Sequence, residues 1–221
     1  MRRATSDPAT HGTARDPIGP NVEALRRTLL LVERLTDEQY AHVDARLGAA
    51  SIGAHVRHVL DHYRLFLDGL PDGEVDYDAR ERDTDVERSA GAAAAEARRL
   101  CAALAALGAA GAVASATGAA GASDWAGRPL RVRQQADELP GCFDGCDSHV
   151  ERELLFLLSH AVHHQALIAV LARAQGLDVP ELFGVAPSTA AWQRTQAMPG
   201  MQGTPTAPGT RGSREDSPCA R

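Results

Sequence analysis

Two pairs of histidines, each four residues apart, constrain this chain more than any other feature. His58 and His62 lie in SIGAHVRHVLDHYRLFL, and His160 and His164 lie in ERELLFLLSHAVHHQALIAVLA. Both surroundings read as helix. On an α-helix, residues four apart point within about 40° of each other and stand about 6 Å apart along the axis, so two such imidazoles can reach one ion. Neutral imidazole is the commonest side chain at zinc and also suits nickel, iron and copper. Two such helices packed side by side can hold a metal inside a bundle. The pattern points to a metal site and names no substrate.

The chain has 221 residues, room for one domain with tails, and 44% of them are apolar, enough for a core. Its net charge of -6, with basic runs no longer than pairs such as Arg2-Arg3, argues against a nucleic-acid partner. No stretch approaches the ~20 consecutive apolar residues of a membrane span. The N-terminus begins with charge but has no apolar region of a secretory signal. Cys101, Cys142, Cys146 and Cys219 sit in unlike contexts and form no framework, although Cys142 and Cys146 could pair in a loop. Together these features lead us to expect a cytoplasmic protein with reduced thiols.

Residues 1–18 and 197–221 are polar, rich in Gly, Pro, Ser and Thr and without periodicity, which predicts disordered tails around a domain at 19–196. Within it we expect four long helices. The first, 21–35, has Val22, Leu25, Leu29 and Val32 on one face, with Asn21 as its cap. In the second, 51–69, Ser51 is the cap. Its core stripe is Ile52, Val56, Val59, Tyr63, Phe66 and Leu70, and His55, His58, His62 and Leu65 adjoin that stripe. The third, 83–107, is specified mainly by alanine, and the Gly/Ala-rich run after it reads as a loop. Alternation over 125–138 suggests a small hairpin or strand. The fourth opens with a capping box at Ser148-His149-Val150-Glu151 and runs to Ala174, ahead of Gly176. Its start, Leu154 to Leu158, is apolar all round, which implies burial on several sides or at a subunit interface. A short closing helix is expected over 187–194. Four helices make an all-α bundle, with no sign of a second domain.

The two histidine helices hold seven of the nine histidines, more than an amphipathic surface needs. The Glu of the H-E-x-x-H zincin motif is missing, Ala161 standing in its place. Nor are there Glu-x-x-His pairs of a di-iron bundle. A nitrogen-rich mononuclear divalent site is the reading that remains. Three histidines with an open position would make it catalytic, and four closing the shell would make it structural. His62, His163 and His55 are candidates for a further ligand or for orienting one. Asp61 and Glu153 are the nearest carboxylates, able to orient an imidazole or act as a base. Asp61 reads more simply as a surface charge, and Arg57 and Arg152 as surface or helix-pairing residues.

At SIGAHVRHVLDH and SHAVHHQALIAVLARAQGL, over roughly residues 20 to 195, the chain resembles the DinB/YfiT-like family of metal-binding four-helix bundles. The family pattern has one histidine on helix 2, matched by His58, and an H-x-x-x-H on the last helix, matched by His160 and His164. The extra histidines at 55, 62 and 163 depart from it. The resemblance implies an up-down-down-up bundle, often dimeric, with zinc first and nickel or iron as other candidate metals. It also implies a thiol S-transferase using a low-molecular-weight thiol, or a hydrolase, acting on a small molecule. The expected ligands are His58, His160 and His164, with Glu153 as a candidate catalytic group. Two rivals stay open: a non-catalytic, stress-related bundle with a structural ion, and a helical interaction module in which the histidines are incidental.

Overall fold

In the computed structural model, the described residues are 16–48, 50–81, 84–117, 125–133 and 145–197. The expected tails lie outside them apart from residues 16–18 and 197. Along the chain come helices α1 (Ile18–Val32), α2 (Asp37–Ala41) and α3 (Ile52–Gly69), and then strand β1 (Glu74–Asp76). Helices α4 (Asp85–Arg88) and α5 (Ala90–Thr117) precede strands β2 (Pro129–Arg133) and β3 (Cys146–His149). Helices α6 (Val150–Ala174) and α7 (Pro187–Ala197) complete the series. The chain divides into two compact units, one ending at Ala186 and the other beginning at Pro187. The second unit holds α7, which matches the short helix expected at 187–194.

The four long helices of the first unit, α1, α3, α5 and α6, correspond to the four long helices expected from the sequence. α1 and α3 each pack against both α5 and α6. Leu25, Val56, Phe66, Leu100, Leu104, Leu154, Leu157 and Ile168 fill the space between them.

The ends of these helices differ from expectation in instructive ways. α1 begins earlier, because the Asp16 carboxylate accepts from the backbone N–H of Ile18 at 2.9 Å and of Gly19 at 3.1 Å. Asn21, expected as the cap, turns inward and is buried. Its Nδ2 donates to the Leu154 carbonyl at 3.1 Å, and its Oδ1 accepts from the Tyr63 hydroxyl at 2.7 Å. One amide thereby ties α1 to α3 and α6, which a hydrophobic pattern does not reveal. α6 is capped by His149 rather than Ser148, with Nδ1 accepting from the N–H of Arg152. The predicted capping box is displaced because the Ser148 hydroxyl donates to Glu153 instead. At α3 the expected cap is present, the Ser51 hydroxyl accepting from Ala54 N–H at 3.0 Å.

The third expected helix breaks at Ser89 into α4 and α5, and α5 then runs to Thr117 through the first part of the stretch read as a loop, whose residues 118–123 lie outside the described residues. Alanine has the highest helix propensity, and it outweighs the scattered glycines. Gly111 has a packing reason, since a Cβ there would overlap the Trp125 indole.

A three-stranded sheet, order β1-β2-β3, flanks the helices. β2 alternates as expected, with Leu130 and Val132 buried, while residues 134–138 of that prediction lie outside the described residues. Its parallel pairing with β1, which places Val75 opposite Val132, has no short-range signature. α6 is long and apolar enough, by length and composition, to cross a membrane, contrary to the expectation of no such stretch. In this fold it packs against α1 and α3 and buries Leu154, Leu157, Ala161 and Ile168 in the core. Cys101 and Cys146 are free thiols, and Cys142 and Cys219 fall outside the described residues.

Candidate metal centre

α3 and α6 lie side by side, and their histidines meet across the contact. The 3.6-residue turn puts His55, His58 and His62 along one side of α3, and His160 and His164 one turn apart on α6. His58, His160 and His164 each offer a ring nitrogen within 4.8 Å of the other two. Their ring centroids are 4.9 Å apart for His58 and His160, 4.6 Å for His58 and His164, and 4.5 Å for His160 and His164. Two helical pairs thus supply three convergent nitrogens.

Burial keeps these rings neutral. Burial first, and the neighbouring imidazoles after it, bring His58 down to about 2, His160 to about 3 and His164 to about 4. His55 and His62 are lowered for the same first reason. A neutral imidazole has a lone pair on one nitrogen, which is what a metal needs.

The hydrogen bonds show where those lone pairs are. His62 is buried, and its Nδ1–H donates to the His58 carbonyl at 2.8 Å, leaving Nε2 bare. His160 Nε2 is buried and has no hydrogen-bond partner. An uncompensated buried polar atom is costly, and a metal ion would satisfy this one. His55 Nδ1 lies 3.0 Å from His164 Nδ1. Arg80 Nη1 lies 2.9 Å from His58 Nδ1, and because a guanidinium has only donors, His58 accepts there. A neutral His58 in this contact carries its proton on Nε2. A metal at His58 therefore competes with Arg80 for Nδ1 or with a proton for Nε2.

The remaining candidates are placed as follows. His163 is exposed, with its ring 5.3 Å from that of His164, and is not one of the convergent three. Asp61, read as a surface charge, is buried, and its carboxylate pairs with Arg57 at 3.2 Å and Arg64 at 3.6 Å. Arg57 also meets Glu87 at 2.9 Å, so it does pair elements, joining α3 to α4. Glu153 is fully buried. One of its oxygens accepts from the Tyr77 hydroxyl at 3.0 Å, and the other accepts from Ser148 and from Arg152. Tyr77 in turn stacks on His62 at 5.1 Å.

Tyr77 and Arg80 were not anticipated. They follow β1 in a segment without periodicity, and only the docking of that strand beside β2 carries them to the histidines.

The fold and site therefore define a helical protein with a tri-histidine cluster between two helices. Residues 22–168 match the DinB superfamily, more than half of the chain, and the protein belongs to that superfamily. DinB-like proteins are often metal-binding, and the donor set here fits a divalent ion. No curated protein and no solved structure matches the chain.

Proposed function

We propose that the protein is a metal-dependent enzyme whose ion is held by His58, His160 and His164, with zinc the first candidate and nickel or iron the others. The observation that carries this reading is the buried, unpartnered Nε2 of His160 within a group of three convergent imidazole nitrogens. Three nitrogen ligands leave an open position on a divalent ion. When bound, such an ion lowers the pKa of a water or thiol that takes that position. The reaction class is S-transfer from a low-molecular-weight thiol or hydrolysis of a small molecule.

In this scheme the chain's own residues bind and orient. His58, His160 and His164 remain neutral at neutral pH and provide lone pairs. Arg80 sets a positive charge beside His58. Glu153, a candidate base from the sequence, has both oxygens occupied and serves instead to hold Tyr77 against His62. The protein works in the cytoplasm as a homodimer, through the face of α6 where Leu155 and Val170 are exposed, and without nucleic-acid or membrane partners.

A second reading, a closed structural ion, is favoured by His62. Its tautomer leaves Nε2 bare, and its ring lies 4.3 Å from that of His160 and 4.4 Å from that of His58.

Elemental mass spectrometry of the purified, tag-free protein tests for the ion. About one equivalent of metal is expected, lost in the double variant His160→Ala/His164→Ala. No metal in the wild type, even after zinc, nickel and iron are offered, overturns both readings. If metal is bound, water relaxation on the manganese- or cobalt-substituted protein separates them, since only an open site exchanges water at the ion.

A further inference from the structure

His55 and His164 stand 109 residues apart in sequence, and their Nδ1 atoms lie 3.0 Å apart. Two nitrogens at that distance make one hydrogen bond, so one ring donates and the other accepts. Two charged rings have no lone pair between them and cannot make this contact, whereas two neutral rings can. Each therefore carries one N–H, and only two arrangements are available. If His55 donates from Nδ1, His164 bears its own proton on Nε2 and has no lone pair left for a metal. If His164 donates from Nδ1, its Nε2 is bare and His55 keeps its proton on Nε2.

Three observations select the second arrangement. His164 belongs to the convergent group and His55 does not. A ligating histidine generally donates its other N–H to a nearby acceptor, which fixes both tautomer and ring orientation. The carboxyl groups of Asp61 and Glu153, the usual kind of acceptor, are committed to Arg57 and Arg64 and to Tyr77, Ser148 and Arg152. His62 displays the same pattern on α3, with Nδ1–H given to a carbonyl and Nε2 bare.

We propose that His55 is a positioning residue that accepts the Nδ1–H of His164 and so holds that ring in the tautomer whose Nε2 is free to ligate. This rests on the metal reading above, but the tautomer it specifies exists in the metal-free protein too. Unlike a carboxylate, the neutral imidazole adds no negative charge behind the ligand.

The test is long-range proton–nitrogen NMR of nitrogen-15-labelled, metal-free protein at pH 7.5, with His55→Asn and His55→Leu for assignment and comparison. His164 is expected as the Nδ1–H tautomer and His55 as the Nε2–H tautomer. The reverse pattern overturns the proposal whether or not the protein binds metal. In His55→Asn the amide oxygen takes the place of Nδ1, so the His164 tautomer and zinc affinity stay near wild type. In His55→Leu the Nδ1–H preference is lost and zinc binds roughly 10- to 100-fold more weakly. Equal zinc affinity in His55→Leu and wild type overturns the positioning role. Cadmium-113 coupling to His55 Nδ1 in the loaded protein would instead make His55 a ligand and overturn it, while keeping the metal site. Absence of zinc binding by wild type, with the predicted tautomers present, sinks the metal reading alone.

Discussion

At the scale of single residues, burial does for His58, His160 and His164 what a metal ligand requires, which is to keep the ring neutral. The same burial has a consequence for stability. In the unfolded chain a histidine titrates near ~6.5, whereas in the fold these three titrate at about 2, 3 and 4. Between those values the unfolded chain binds more protons, so stability rises with pH across the window. Metal-stripped protein should have its full histidine contribution above ~6.5 and lose it as pH falls toward 4 and below. Thermal melts at pH 7.5, 6 and 5 measure this, and His160→Ala/His164→Ala should flatten the dependence. An unchanged slope in that variant would place the titrating groups elsewhere. Arg80 has the opposite relation to a metal. Its hydrogen bond to His58 Nδ1 exists only while that lone pair is not ligating. Arg80→Ala should tighten zinc binding by about 2- to 10-fold, the equivalent of one net hydrogen bond. Competition against a chromophoric chelator reads the change, and weaker binding in the variant would make Arg80 a supporting group.

At the scale of elements, α3 carries His55, His58 and His62, and its placement is set at its first turn. Ser51 caps it, and Gly53 lies so close to α2 and α4 that a Cβ there would come within 2.8 Å of the Tyr40 ring and overlap the Glu87 carbonyl. Tyr40 is itself held by its hydroxyl donating to the Val86 carbonyl at 2.8 Å. Gly53→Ala should therefore cost about 1–3 kcal/mol by overpacking, seen as a lower urea midpoint with an unchanged slope. It should also weaken metal binding, because His55 and His58 lie within the next two turns. Wild-type stability in this variant would mean that the α3–α4 contact yields freely. Much of this was readable beforehand: the Ser51 cap, the apolar stripe and the histidine stripe are all relations between residues a few positions apart. The extent of α5 was not readable, because alanine and glycine carry opposite propensities and few large side chains mark a face.

At the scale of the whole molecule, a bound ion would link helices separated by about a hundred residues. Anything that binds the native state alone stabilises it by RT ln(1 + [L]/Kd), about 2.7 kcal/mol at a hundredfold excess over Kd. Zinc should raise the melting temperature of the metal-free protein, and a chelator should reverse the shift. His160→Ala/His164→Ala should show neither effect. Local pattern in the sequence was sufficient for the existence of the four long helices, for the mutual placement of His58 with His62 and of His160 with His164, and for the alternation of β2. A residue's neighbours three and four positions away are determined by helix geometry alone, so periodicity encodes them. Only the tertiary structure decided that α3 faces α6 and that Asn21 is a buried tie rather than a cap. It alone placed Glu153 against Tyr77, and Arg80 and His55 against the ligand rings. Those contacts join residues between 22 and 133 positions apart, and they depend on which faces pack together, a choice made by the summed burial of the core and not by any local signal.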